Sequence, residues 1–317
     1  MKIGIIGLGI NGSYLSYKLA QKGHDAVVFE RKSKEGGKAC SGLISERIWS
    51  FIPEKSGLVH NEVDFVKIHY PKKVVKVKFK PKMLSFDRLA LERYMVRLAK
   101  KEGAKIKFNS PISNLNDLED FDRIIGCDGA ASIVRQALGV WDPEFRLGLY
   151  LYKNEEADAN YVETWPTENG FCWKIPKGNK VEYGCMDSVY RANMEFNKFC
   201  SEQGIGGEYV KSHLIPQGIR FSNEDRVFLC GDAAGLTKCW SGGGVIWGLT
   251  AADFLVESFP DVERYNLRLQ TFFGPRMKIY DKLTRGVSFV GRNASWAMPS
   301  KRTIDSDYLL RILKRNV

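Results

Sequence analysis

Three glycines at fixed spacing, and an acid about twenty positions further on, are the residues of this chain whose types most directly imply chemistry. Gly7-Leu8-Gly9-Ile10-Asn11-Gly12 follows the apolar run Ile3, Ile5 and Ile6 and opens a helix carrying Tyr14, Leu15 and Leu19. The next strand, Ala26-Val27-Val28-Phe29, ends on Glu30. This is the dinucleotide-binding pattern G-x-G-x-x-G with its distal acid. Gly7 permits the tight turn, Gly9 lets the backbone approach a pyrophosphate, and Gly12 lets the helix pack closely on the strand. The helix start presents unpaired N–H groups and a partial positive charge to phosphates. Glu30 suits ribose hydroxyls, and its charge disfavours a 2'-phosphate; the adjoining Arg31 is a further cofactor-binding candidate. Which dinucleotide binds is left open by these residues.

Two more strand ends deliver an acid and a glycine. Arg123-Ile124-Ile125-Gly126-Cys127 leads to Asp128-Gly129 and a helix start at Ser132. Arg226-Val227-Phe228-Leu229-Cys230 leads to Gly231-Asp232-Ala233-Ala234-Gly235, then Ser241-Gly242-Gly243-Gly244 and the apolar helix Val245 to Ser258. In a parallel sheet, cofactors sit at such carboxyl ends. A carboxylate there accepts hydrogen bonds from sugar or ribityl hydroxyls, and the three glycines open a second helix N-terminus to something flat or anionic. Between these motifs a loop rich in lysine and glycine, residues 32–38, leads to Cys40. Its thiol is either a small packing residue or part of a reaction cavity.

The elements that must position these groups follow from periodicity. Val63 to Tyr70 and Val74 to Phe79 alternate about Pro71 as a hairpin with one wet, lysine-rich face. Leu91, Tyr94, Met95 and Leu98 form a helical stripe that Gly103 ends. From about Leu147 to Phe221, short runs such as Tyr161 to Trp165, Gly170 to Pro176 and Val181 to Met186 suit an antiparallel sheet, with a helix over Arg191 to Gln203. Its aromatic residues at period two line an apolar pocket or fill a core. The expected fold is α/β: a Rossmann-like domain from residues 1–60, 85–145 and 222–260, an inserted antiparallel sheet domain from 61–84 and 146–221, and a C-terminal helical, basic segment, 261–317.

At 317 residues, 44% hydrophobic and 27% charged, the composition is that of a globular chain with room for about two domains. No apolar run approaches the ~20 residues of a spanning helix. No cleavage site follows the N-terminal run, so a cytoplasmic location is expected. Seven cysteines without CxxC pairs argue against a zinc site or disulfide framework, and the four histidines are scattered; no metal is expected. The net charge of +11 is concentrated: residues 72–82 hold six lysines and no acid, and residues 261–317 hold twelve basic and five acidic residues. Such a surface attracts anionic headgroups or an acidic redox partner, and no nucleic-acid motif accompanies it.

Gly7 to Gly12 with Glu30, Cys40-Ser41-Gly42, Asp87-Arg88, Cys127-Asp128-Gly129, and Gly231 to Gly235 with Ser241 to Gly244 together resemble the geranylgeranyl reductase family of FAD-dependent oxidoreductases, itself related to aromatic-hydroxylase-type flavoproteins. The resemblance implies FAD. It makes Glu30 the adenosine ribose ligand, Arg88 a contact near the pyrophosphate, and Asp232 the partner of the ribityl or pyrophosphate region. Gly243 and Gly244 would abut the isoalloxazine, where a helix N-terminus suits the negative charge that reduction leaves near flavin N1. Cys40 would lie beside the flavin, so Cys40 and Gly243 are the flavin-proximal catalytic candidates. The implied reaction is hydride transfer to carbon-carbon double bonds of an isoprenoid lipid, held by Phe171, Trp173, Pro176 and Trp240. NAD(P)H or ferredoxin would be the donor, and the basic surface would suit peripheral membrane contact. Two features depart from the family. Phe171-Cys172-Trp173-Lys174-Ile175-Pro176 keeps only the frame of its Pro-x-x-Tyr-x-Trp-x-Phe-Pro motif, and Cys239-Trp240 replaces the proline before the glycines. The alternatives are a flavin monooxygenase or halogenase, and a non-catalytic dinucleotide-binding redox partner.

Overall fold

The structure is a computed structural model, and it describes residues 1–37, 39–156, 159–206 and 210–307. β1 (Lys2–Ile6) is buried at four successive positions, as a strand covered on both faces must be. The glycine turn leads to α1 (Ile10–Gln21), and β2 (Asp25–Phe29) returns parallel to β1. Then come β3 (Leu43–Ser45), the long hairpin of β4 (Val59–Tyr70) and β5 (Lys73–Phe86), and α2 (Arg88–Lys101). β6 (Lys105–Lys107), β7 (Arg123–Gly126) and α3 (Ile133–Ala137) precede four strands, β8 (Glu144–Asn154), β9 (Tyr161–Pro166), β10 (Phe171–Lys177) and β11 (Lys180–Ser188). α4 (Ala192–Glu202), β12 (Lys211–Gln217), β13 (Val227–Leu229), α5 (Val245–Ser258), α6 (Val262–Asn293) and β14 (Lys301–Ile304) follow.

These elements make two compact units. The first comprises Met1–Lys38, Arg88–Phe145 and Leu214–Asp281, built on a five-stranded parallel sheet of order β13-β7-β1-β2-β6. This Rossmann-like arrangement puts the ends of β1, β7 and β13 side by side, since Ile6 pairs with Gly126 and Gly126 with Leu229. The second comprises Ala39–Asp87, Arg146–His213 and Lys282–Val317. Its mainly antiparallel sheet has the order β12-β8-β11-β10-β9-β4-β5-β14, with β3 on β5. One face of that sheet, including Leu149, Leu151, Tyr183 and Cys185, packs on Phe196 and Phe199 of α4.

Several boundaries differ from the sequence expectation: residues 214–221 and 261–281 belong to the first unit, and the rest of the C-terminal segment belongs to the second rather than standing apart. Residues 39–60 join the sheet unit because β3 pairs with β5, Leu43 opposite Ser85. Nor is the segment 261–317 helical throughout: β14 adds to β5 in parallel, Lys301 opposite Lys76. Both strands are short main-chain ladders, and three or four residues carry too little periodicity to be recognised. Among the described residues, no helix is long and apolar enough to cross a membrane.

Candidate functional site

In the first unit the fingerprint glycines have three distinct physical jobs. Gly7 has φ +97°, and a Cβ on it would lie 2.6 Å from the Cys127 carbonyl oxygen. Gly12 sits in the first turn of α1, where a Cβ would lie 2.0 Å from the Gly7 oxygen, so helix and turn meet backbone on backbone. Gly9, the N-cap of α1, has open space where its Cβ would be. No acid occupies the first turn of α1, so its N–H groups face that space without a competing carboxylate. Glu30 stands at the end of β2 over the turn. Its Oε2 accepts from Leu8 N–H at 2.9 Å and its Oε1 from Lys32 N–H at 3.0 Å. Arg31, next to it, is exposed. Arg88 opens α2 and pairs with the buried Glu92 at 2.7 Å.

The two later motifs reach the same sheet edge. The Asp128 carboxylate accepts from Ser132 Oγ at 2.6 Å and from the Ile133 and Val134 N–H groups at 2.7 and 3.2 Å, holding the start of α3. Burial pushes its carboxyl above the ordinary range, and these hydrogen bonds oppose that shift. Gly129, at φ +91°, leaves open space beside it. Gly231 and Asp232 begin a short 3-10 turn. A Cβ on Gly244, the N-cap of α5, would lie 3.0 Å from Asp232 Oδ1, so the carboxylate stands against that helix start. The glycine loop closes on itself: Gly242 N–H donates to the Lys238 oxygen at 2.8 Å, and Lys238 N–H to the Gly243 oxygen at 3.2 Å. Trp240 packs edge-on to Trp247 and Tyr280, at 5.6 and 5.2 Å between ring centroids, within this unit.

Asn11 ties these pieces together, and its place inside the fingerprint as a mere x residue hid it. A Cβ on either Gly231 or Gly248 would run into its amide, at 2.0 and 2.6 Å. Its Oδ1 is buried with no hydrogen-bond partner among the described residues. The acid-free start of α1, the start of α5 with the Asp232 carboxylate beside it, open positions at Gly9 and Gly129, and an orphaned amide oxygen therefore fit an elongated, anionic and hydroxyl-rich cofactor.

The remaining candidates belong to the sheet unit. Cys40 N–H donates to the Tyr150 hydroxyl at 3.1 Å, Gly42 N–H donates to Cys40 Sγ at 3.5 Å, and the Ser41 oxygen accepts from the Lys177 ammonium. Phe171 and Trp173 share one face of β10, their rings 5.8 Å apart, and a Cβ on Gly184 would strike the Trp173 ring at 2.2 Å. Strand alternation puts Pro176 on the opposite face, where it lines a shallow depression with Tyr161, Glu163 and Lys174. The sheet therefore does not gather Phe171, Trp173 and Pro176 on one surface.

Glu182 went unrecognised because an acid between Val181 and Tyr183 reads as a solvated strand position. It is fully buried, and its Oε1 accepts from Trp173 Nε1 at 2.9 Å. Burial raises its carboxyl pKa; Lys177, the Trp173 indole and the Tyr152 hydroxyl oppose the rise without cancelling it. A folded-state pKa above the unfolded one favours folding only while the group is protonated, and that contribution is lost as pH rises from about 4.5 through the folded value. Glu182→Gln is therefore expected to match the parent in urea unfolding at about pH 4 and exceed it at about pH 8. Equal or lower stability of the variant at the higher pH would contradict this account of Glu182.

Residues 5–47 match the family described as an NAD(P)-binding Rossmann-like domain. The chain is 24% identical to digeranylgeranylglycerophospholipid reductase 1 of Methanosphaera stadtmanae, over 85% of this chain and 78% of that protein. It is 23% identical to the chloroplastic geranylgeranyl diphosphate reductase of Oryza sativa, over 90% and 74% of the two chains. Among solved structures, a geranylgeranyl bacteriochlorophyll reductase-like protein from Thermoplasma acidophilum shares the fold with TM-score 0.71 and 16% identity, covering 90% of this chain and 83% of that one. The fold, the twin helix starts and these relatives define an FAD-dependent oxidoreductase. Within that class, its resemblance is to the geranylgeranyl reductases.

Proposed function

We propose that this oxidoreductase reduces carbon-carbon double bonds of a geranylgeranyl-type isoprenoid lipid. FAD, when bound, supplies the hydride chemistry. The chain's own contribution is to hold that cofactor: the α1 N-terminus and the space over Gly9 for its pyrophosphate, Glu30 for ribose hydroxyls, and Asp232 with the start of α5 for the ribityl and flavin end. In the sheet unit, Phe171, Trp173 and Met186 lie on the face opposite the α4 core, with Tyr150 at the same level. The Phe171, Trp173 and Met186 end of that face suits an apolar chain, while the same alternation puts the buried Glu182 and Lys177 on it towards the other end of the strands.

The observation that carries the proposal is that face, which packs the Trp173 ring against Gly184 and contributes no side chain to the α4 core. The relatives' names support the same substrate class. The test is anaerobic: the holoenzyme is photoreduced and mixed with geranylgeranyl lipids. Flavin reoxidation, matched by the gain of one H2 for each double bond lost in the product mass, is expected. Absence of turnover with every prenyl lipid tried would refute the proposal. In a parallel aerobic assay, oxygen consumption stimulated by a substrate would favour a monooxygenase instead. The electron donor, NAD(P)H or an acidic ferredoxin, is to be identified by which of them reduces the flavin.

A further inference from the structure

The C-terminal part of α6 is apolar where a helix of a globular protein is normally polar. Leu283, Val287 and Val290 recur at i, i+4 and i+7 on one side of it, and all are exposed. Phe289 is 63% exposed, and Trp296, just past the helix end, is 79% exposed. Single exposed apolar residues are ordinary, but five within fourteen residues, with Phe289 about 100° round the helix from Val290, leave this end of α6 apolar over much of its circumference.

The patch adjoins the lysine-rich tip of the hairpin of β4 and β5. A Cβ on Gly291 of α6 would meet the Tyr70 ring at 2.0 Å, so the helix lies directly against the end of β4. Lys73, across the turn, donates to the Trp296 oxygen at 3.4 Å and to the Met298 oxygen. Lys72, Lys76, Lys282 and Arg285 are exposed around it. Asp281 is the one acid between residues 265 and 304, and residues 72–82 contain none.

We infer that this surface of the sheet unit, the C-terminal part of α6 with Trp296 and the hairpin tip, docks on an anionic phospholipid bilayer. Apolar and aromatic side chains projecting from a helix, ringed by lysine and arginine, are the pattern of helices that lie in the headgroup layer. The apolar side chains enter the acyl boundary, while the long basic side chains keep their charges among the phosphates. Charge argues against a second copy, and the exposed Leu283, Val287, Val290 and Trp296 among the basic residues favour a bilayer over an acidic protein that answers the charge alone. A second copy of the chain would bring an equally cationic patch against this one, and like charges oppose that contact. The bilayer supplies the complementary negative charge and needs no groove to receive a convex helix. The inference is independent of the proposed reaction, because it is tested on vesicles that contain no prenyl lipid.

The test uses the full-length, FAD-loaded protein and sedimentation with vesicles of phosphatidylcholine alone or mixed with phosphatidylglycerol. Binding to the mixed vesicles that weakens as salt rises is expected. Phe289→Asp with Trp296→Asp should abolish binding while leaving flavin content and unfolding temperature unchanged, because both side chains are exposed. Lys282→Glu with Arg285→Glu should lower the partition coefficient on anionic vesicles at least ~10-fold and remove the preference for them. The inference is overturned if the parent protein does not sediment with anionic vesicles, or if the Phe289 and Trp296 variant sediments as well as the parent. It is equally overturned if sedimentation equilibrium shows a dimer that this variant dissociates, which would assign the patch to a second copy.

Discussion

Gly9→Val is expected to yield a colourless but normally folded protein. The φ of −71° at Gly9 is open to any residue, and a Cβ there meets no protein atom within 4 Å. Replacing this N-cap glycine should cost the apoprotein no more than about 1 kcal/mol. The added side chain instead fills the space over the α1 N-terminus that the proposed function assigns to the FAD pyrophosphate. Charge-assisted hydrogen bonds contribute about 1.5–3 kcal/mol each, so losing two of them weakens FAD binding by roughly 100-fold or more. The measurements are flavin absorbance after purification and titration of the apoprotein with FAD. A variant that keeps its full flavin content would remove Gly9 from the site.

Gly12→Val should fail in the opposite way, losing the fold rather than the cofactor alone. Its Cβ would lie 2.0 Å from the Gly7 carbonyl oxygen, and neither atom belongs to a side chain that can rotate away. α1 would have to lift from β1, uncovering Leu15 and Leu19, which are fully buried. A destabilisation above about 4 kcal/mol is expected, at the extreme of single substitutions. The soluble yield and the urea midpoint read it. A soluble variant with the parent's midpoint would show that this contact is not a structural constraint. The two variants form a matched pair at one helix start: Gly9, open and proposed to face the ligand, and Gly12, closed against the backbone of the turn.

The sequence-level reading of the α/β fold, the FAD cofactor and the resemblance to geranylgeranyl reductases agrees with the structure and the relatives. The reason is physical. A glycine turn that needs a positive φ, a close helix contact and a free helix end can be met by few residue types, so local spacing alone betrays it. Buried parallel strands are equally legible, because continuous apolar runs have few other uses.

What depended on contacts distant in the chain was not legible. Asp128 stands where a cofactor ligand was expected, yet its carboxylate is engaged by the start of α3, which only the turn geometry decides. Asn11 owes its place to Gly231 and Gly248, more than two hundred residues away, which lie against its amide. Lys177, at the end of β10, anchors the Ser41 loop from across the sheet unit, a contact that no local pattern carries. Pro176 fell away from Phe171 and Trp173 because side chains on a strand alternate between faces, and β10 puts an odd number of steps between Trp173 and Pro176. The sequence by itself determined the local chemistry of each motif: turn, helix end, strand end. Tertiary structure alone decided which polar groups are already satisfied by the protein and which remain open to a ligand, because that depends on atoms brought together across the whole chain.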